Sequence, residues 1–347
     1  MGLNIREIVS KKEVDSSKFK GKILCVDSFN TLYQFLSTIR QPDGTPLMDS
    51  QKRITSHLSG ILYRNSNLLS EGIKLIYVFD GKAPDLKYKT YKKRESNRDL
   101  AREKYEKAKD DEDFNSMKRY SSQLVRLDDE MIKESKELLE AMGIMVVQAP
   151  GEGEAECAYL AKTNELIYGS VSQDYDSLLF GAPYLIRNLT ISRKKKTFSG
   201  GFIEVNPELI DLQGLLKELE INSEQLICLG ILVGTDYNPK GIPGIGQKKA
   251  LGIVREFKTP EKIFEMVNEK IKALPEEEQF DWKEIFDLFK KPSVKNFEIK
   301  FPKLNENKIR KILVDKHEFS EERIEKQIEK LQETESSGKQ KNLDKWF

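Results

Sequence analysis

Four short apolar runs punctuate the first half of the chain, and each leads into acidic residues. Lys22-Ile23-Leu24-Cys25-Val26 stops at Asp27, and Leu75-Ile76-Tyr77-Val78-Phe79 stops at Asp80. Ile144-Met145-Val146-Val147 passes through Gln148, Ala149 and Pro150 to Glu152 and Glu154, and Ile167-Tyr168-Gly169-Ser170-Val171 leads to Asp174 and Asp176. Between them lie stretches with helical spacing, from Asp27 to Ile39 and from about Ser50 to Leu69. Short apolar runs separated by helices read as buried strands of a parallel sheet, so the fold class is α/β. The carboxyl ends of such strands open onto one crevice, where ligands bind. Six carboxylates at one edge repel one another unless cations lie between them.

Composition bounds the rest. At 347 residues, with 58 Lys and Arg against 57 Asp and Glu, the net charge is +1 and by itself implies no polyanionic partner. No apolar stretch approaches the roughly 20 residues needed to span a bilayer, and the first residues carry no apolar secretory block. Cys25, Cys157 and Cys228 are scattered in apolar surroundings and read as reduced core thiols. An intracellular soluble protein, with no membrane partner, is expected.

A seventh acid, Asp236 in Gly234-Thr235-Asp236-Tyr237, follows another apolar helix. Carboxylate oxygens suit hard cations such as Mg²⁺ and Mn²⁺, whereas zinc recruits histidine or cysteine. His57 and His317 stand isolated. Two such ions about 4 Å apart stabilise attacking and leaving oxygens in phosphodiester hydrolysis. Any one of these acids alone could be a helix cap. Four repeats of strand followed by acid favour a multi-metal site.

The charge is unevenly spread. Residues 87 to 109 hold ten basic and four acidic side chains, followed by Asp110-Asp111-Glu112-Asp113. With few apolar residues between Leu86 and Leu124, this insertion predicts a helical projection above the sheet, partly mobile without a ligand. Lys87 and Arg94 are seven apart, about two helical turns, so they face the same way close to Asp80. Cations there would offset charge developing on a scissile phosphate. Tyr33, on the helix after Asp27, either stacks on a base or packs in the core. Ser192 to Thr197 reads as an exposed turn, and Gly241-Ile242-Pro243-Gly244-Ile245-Gly246-Gln247-Lys248-Lys249-Ala250 as a glycine hairpin between helices. Its backbone N–H groups and the two lysines of the following first turn would grip duplex phosphates without reading sequence.

These motifs, in this order, resemble flap endonuclease: Asp27, Phe79-Asp80-Gly81-Lys82-Ala83-Pro84, Ala149 to Glu156, Gln173-Asp174-Tyr175-Asp176, Gly234-Thr235-Asp236-Tyr237 and Gly244-Ile245-Gly246. The resemblance spans nearly the whole chain. It implies a PIN-like α/β fold, with a mainly parallel twisted sheet flanked by helices, a helical arch and a helix-two-turn-helix DNA-binding element. It implies a structure-specific 5′ flap endonuclease and 5′–3′ exonuclease, acting in lagging-strand (Okazaki fragment) maturation and base excision repair. By the same resemblance Asp27, Asp80, Glu152 and Glu154 hold one Mg²⁺. Asp174, Asp176 and Asp236 hold a second, with Glu154 shared and Mn²⁺ able to substitute. Lys87 and Arg94 fall at the catalytic basic positions and Tyr33 at the base-stacking position. Glu152, Gly234, Asp236, Gly244, Gly246, Lys248 and Lys249 fall at positions facing DNA, and Gly2 lies near the active site once Met1 is removed. Gly153 departs from the family's usual alanine and is expected to loosen the start of its helix by up to about 1 kcal/mol.

The expected organisation is a single nuclease domain over 1–332, with an N-terminal part (1–86), an arch (87–130), an internal part (131–257, the hairpin element at about 223–257) and a helical part (258–332). Residues 333–347 are expected to form a flexible tail. Gln340, Leu343, Trp346 and Phe347 at its end resemble the binding box for the DNA sliding clamp (PCNA), so the expected partners are 5′ flap or branched DNA and the clamp, with the chain otherwise monomeric. The end of the chain lacks a lysine-rich nuclear tail, which fits an archaeal type working in the cytoplasm or nucleoid. Two rivals are a repair nuclease of the same superfamily acting on bubbles or ends, and a non-catalytic clamp-tethered DNA-binding adaptor. The adaptor would be expected to lack some of the seven acids, and none is missing.

Overall fold

Period-two alternation in the apolar runs divides their side chains between two faces of a sheet. The computed structural model describes residues 3–41, 43–191, 194–196 and 201–343. Their strands are β1 (Lys12–Glu13), β2 (Ile23–Asp27), β3 (Lys74–Phe79), β4 (Met145–Gln148), β5 (Ile167–Val171), β6 (Tyr184–Arg187), β7 (Lys194–Lys196), β8 (Phe202–Glu204) and β9 (Glu208–Asp211). Seven of them form one sheet in the order β1-β9-β6-β5-β2-β3-β4. The five strands from β6 to β4 run parallel, and β9 and β1 add an antiparallel edge. The chain advances from β2 through β3 to β4 on one side, then returns to β5 and β6 on the other. That reversal beside β2 is where an α/β sheet opens its ligand crevice.

Helices cover both faces. Leu24, Val26, Leu75, Tyr77 and Phe79 pack under α1 (Ser28–Thr38), α2 (Ser56–Ser70) and α5 (Asp129–Ala141). The intervening Cys25, Ile76 and Val78 pack under α6 (Gly153–Thr163). Between α2 and α5 rise α3 (Tyr88–Asp110) and α4 (Phe114–Ser121), which pack on each other. This is the expected helical projection; α4 is capped by Asp113, whose carboxylate accepts from the amides of Asn115 and Ser116. After α7 (Asp176–Leu179) come α8 (Leu212–Glu218), α9 (Ser223–Val233), α10 (Gln247–Phe257), α11 (Pro260–Lys272) and α12 (Trp282–Lys290), which share a second apolar core. The chain closes with α13 (Glu306–Arg310) and α14 (Glu321–Leu343).

The structure corrects four sequence expectations. The helix expected from about Ser50 begins at Ser56, because the Asp49 carboxylate takes the amides of Gln51 and Arg53 into a turn and Lys52 adopts a φ of 62°. Lys194–Lys196 is a strand paired antiparallel with β8 rather than a turn. Residues 291–305, expected to be helical, form neither helix nor strand and lay Phe297, Ile299 and Phe301 over the α6 core. Residues 333–343, expected as flexible tail, continue α14. Extending an existing helix is far cheaper than nucleating one, and Thr334 and Ser336 bond back to the carbonyls of Lys330 and Gln332.

Candidate active site

All seven acids lie at the carboxyl edge of the sheet or beside it. Asp27 ends β2 and caps α1, accepting from the Asn30 amide at 3.1 Å. Asp80 follows β3 and accepts from the Gly153 amide at 2.7 Å. Glu152 stands at the N-cap position of α6 without a side-chain cap bond, and Glu154, two residues further on, accepts from the Ser177 amide at 3.0 Å and hydroxyl at 2.7 Å. Asp174 follows β5 and accepts from the Asn30 side chain at 2.9 Å, while Asp176 opens α7 and accepts from the Leu3 amide at 3.0 Å. Asp236 stands in the turn after α9. The cap role and the crevice role thus coexist in Asp27, whose second oxygen is left for the crevice.

Gly153 is explained by contact rather than by helix propensity. A Cβ there would come within 2.7 Å of the Asp80 carboxylate and 2.9 Å of the Val78 carbonyl. Glycine lets α6 approach β3 closely enough for its amide to hold Asp80.

Two cations reach across from the base of α3. The Lys87 ammonium pairs with Glu152 and lies 3.5 Å from Asp236, and the Arg94 guanidinium bonds Asp236 at 2.8 and 3.0 Å. The Tyr237 hydroxyl donates to the other oxygen of Glu152. Asn30, Ser177 and Tyr237 were missed as site residues by sequence reasoning. Asn30, three residues after Asp27, had only its capping distance as a signal, and Tyr237 only its place beside Asp236.

Burial sets the electrostatics. Asp27 is pushed up to about 8, by burial first and then by the charge of Asp80. Asp176 is pushed up to about 7 by burial and by Asp174 and Asp236. Burial and Asp176 hold Glu154 well above the usual carboxylate range. Burial disfavours the charged Lys87, but Glu152 and Asp236 outweigh it and keep the ammonium protonated. Acids of this kind hold their charge at neutral pH only when cations join them.

Among the described residues, no three acids, imidazoles or thiols converge into a ready-made metal cage. Repulsion between bare carboxylates resists such convergence, and Lys87 and Arg94 occupy Glu152 and Asp236. The donor chemistry nevertheless fits a hard cation: the site is all carboxylate, and its buried acids have more charge to release than two cations balance.

This crowding predicts an unusual pH dependence. Unfolded carboxyls release their protons near pH 4, whereas folded Asp27 and Asp176 keep theirs to about 8 and 7. The folded chain therefore binds more protons in that window, and stability falls as pH rises through it. Asp49, lowered to about 2, acts at lower pH, and His57, lowered to about 4, opposes the drop by only a few tenths of a kcal/mol above about pH 6.5. In chelator, the melting temperature should drop by a few degrees, on the order of 1–2 kcal/mol of stability, between pH 6.5 and 9. The Asp27→Asn variant should flatten the drop. An unchanged melting temperature, or an equal drop in the variant, would contradict it.

The hairpin element follows Gly234, which ends α9 with a φ of 117°. Ile242, Ile245 and Ala250 are buried beneath it, whereas Pro243, Gly244, Gly246, Lys248 and Lys249 are exposed. Gly244 takes a φ of 76°, and no side chain caps α10 at Gly246. The exposed helix start and its two lysines form an anion-receiving surface. Tyr33 is 38% exposed on α1 and free to meet a ligand. In the last turn of α14 the backbone of Gln340 and Leu343 is helical, while Trp346, Phe347 and Gly2 lie outside the described residues.

Comparison with known proteins agrees with this arrangement. Residues 3–101 match the XPG N-terminal domain and residues 143–236 the XPG I-region. Flap endonuclease 1 of Thermococcus onnurineus is 48% identical, covering 100% of this chain and 99% of its own. That of Sulfolobus acidocaldarius is 46% identical, covering 99% of this chain and 100% of its own. The solved flap endonuclease-1 from Methanococcus jannaschii superposes with a TM-score of 0.75 at 35% identity, over 97% of this chain and 100% of that one. The catalytic core of Rad2, solved with a DNA substrate, shares the fold at 23% identity and a TM-score of 0.69, over 95% of this chain and 100% of that one. With a full-length relative at 48% identity and the acids of both matched regions at one sheet edge, the chain belongs to the flap endonuclease family of structure-specific nucleases.

Proposed function

We propose that this chain hydrolyses a phosphodiester near the junction of DNA bearing a 5′ flap, and also removes nucleotides from 5′ ends, in lagging-strand maturation and base excision repair. The observation that carries the reading is one crevice with seven acids on the sheet side and Lys87 and Arg94 on the arch side. Asp27, Asp80, Glu152 and Glu154 would hold one Mg²⁺, and Asp174, Asp176 and Asp236 a second, with Glu154 shared. Ions bound there would lower the pKa of water and offset charge on the phosphate, as Mn²⁺ also would.

The chain's own residues do the rest. The exposed backbone of Gly244 and Gly246, with Lys248 and Lys249, holds duplex phosphates without reading bases. Tyr33 offers its ring to an unpaired base. Lys87 and Arg94 exchange carboxylate partners for the incoming phosphate, placing two positive charges where negative charge grows. Asn30, Ser177 and the Gly153 amide keep Asp174, Glu154 and Asp80 in place before any ion arrives.

The test is a labelled 5′-flap duplex incubated with Mg²⁺ and, separately, with chelator. Cutting near the junction that needs Mg²⁺ supports the reading; an intact flap in both overturns it. Gln340, Leu343, Trp346 and Phe347 would dock on the sliding clamp inside the cell, raising the local concentration of enzyme at the clamp. Removing residues 340–347 should abolish stimulation by the clamp and leave basal cutting unchanged. Loss of basal cutting would assign the tail another role.

A further inference from the structure

α3 is a helix with little to hold it. Of its described side chains, Thr90, Ala101 and Ala108 alone are buried, and Thr90 lies in the first turn, at the crevice. Thr90 is 4% exposed, and its hydroxyl donates to the main-chain carbonyl of Asp236. Lys87 precedes it by three residues and Arg94 follows by four, so the three share one face of the helix. Both cations end on the carboxylate of the same Asp236.

The turn they meet is rigid. Within it the Asn238 side-chain oxygen accepts from the Thr235 amide at 3.1 Å and hydroxyl at 2.8 Å, and the Asn238 amide group donates to the Ile231 carbonyl at 2.7 Å. Thr235 is 1% exposed and Asn238 5%. This turn is a fixed anchor, and α3 is the movable partner.

The ion pairs and the Thr90 bond differ in one decisive respect. A phosphate or a divalent cation competes for Lys87, Arg94 and the Asp236 carboxylate, so those pairs must open during function. The bond from Thr90 joins a neutral hydroxyl to a backbone carbonyl, so neither competitor gains an ion pair by displacing it. We propose that Thr90 is a positioning residue, a neutral latch that holds the base of α3 on the turn while Lys87 and Arg94 change partners. Without it, α3 would come away from the sheet at the moment its cations are needed over the phosphate. This rests on the reading of Lys87 and Arg94 given above.

Two variants test it in the full chain. Thr90→Val keeps the shape and removes the hydroxyl, and Thr90→Ser keeps the hydroxyl. Without DNA or metal, amide hydrogen exchange over residues 90–97 should be about tenfold faster in Thr90→Val and unchanged in Thr90→Ser, the size expected for one lost hydrogen bond. Exchange in α9 to α12 should not move, which separates a loosened helix from a failed fold; if valine disturbs the fold, Thr90→Ala serves in its place. On a flap duplex, Thr90→Val should lower kcat about tenfold with KM unchanged, and Thr90→Ser should restore it. Wild-type exchange and kcat in Thr90→Val overturn the latch. A raised KM at constant kcat also overturns it, because the hydroxyl would then serve DNA binding. The exchange arm does not depend on cleavage, so a wild type that leaves flaps intact sinks the functional reading and not the latch.

Discussion

Replacing Asp174 with alanine should lower flap cleavage on the order of 10³-fold while leaving the chain folded, because losing one ligand removes several kcal/mol of charge stabilisation. Asp174 is suited to this test because its surroundings need it little. Its carboxylate accepts from Asn30 and adds repulsion at Asp27, Asp176 and Glu154. Removing that repulsion should hold or raise the melting temperature of the metal-free protein, the trade of stability for activity common at crowded sites. Cleavage and melting should therefore move apart. Equal cutting by the variant would end the metal-site reading. A large fall in melting temperature would instead make Asp174 a structural residue.

Lys87→Met, close in shape and uncharged, should lower kcat by roughly 10²- to 10³-fold with KM little changed, the scale of losing one preorganised electrostatic group. KM should hold because the duplex is gripped by the hairpin backbone and by Lys248 and Lys249, whereas Lys87 pairs with Glu152 and Asp236. A second readout moves the other way. Lys87 pairs with Glu152 and lies against Asp236, so its removal frees ligands, and half-maximal Mg²⁺ binding should occur at a lower concentration. Isothermal titration without DNA measures that directly. Weaker Mg²⁺ binding would mean that Lys87 organises the acids rather than competing for them. A rise in KM alone would make it a DNA-binding residue.

Gly153 shows how local and tertiary reasoning can disagree at one position. Propensity marks it as a weak start to α6, yet its missing Cβ leaves room for Asp80 and for the amide bond that holds it. The helix gives up a little intrinsic stability and the crevice gains a fixed carboxylate.

The sequence by itself determined the sheet and the gathering of acids at its carboxyl edge. Continuous short apolar runs separated by helical stretches read as buried parallel strands, and such strands bring their carboxyl ends together. Asp27, Asp80, Glu152, Glu154, Asp174 and Asp176 were legible for that reason. So were the hairpin glycines, a type that tolerates the positive φ angles found at Gly241 and Gly244. Only the tertiary structure decided the long-range partners. Asn30 meets Asp174 across 144 residues, Tyr237 meets Glu152 across 85 and Thr90 meets Asp236 across 146. Periodicity and propensity act over a turn or a strand and hold no information about which distant oxygen faces a given donor. The same limit explains α14, read locally as a polar tail, which is helical because an anchored helix upstream of it had already formed.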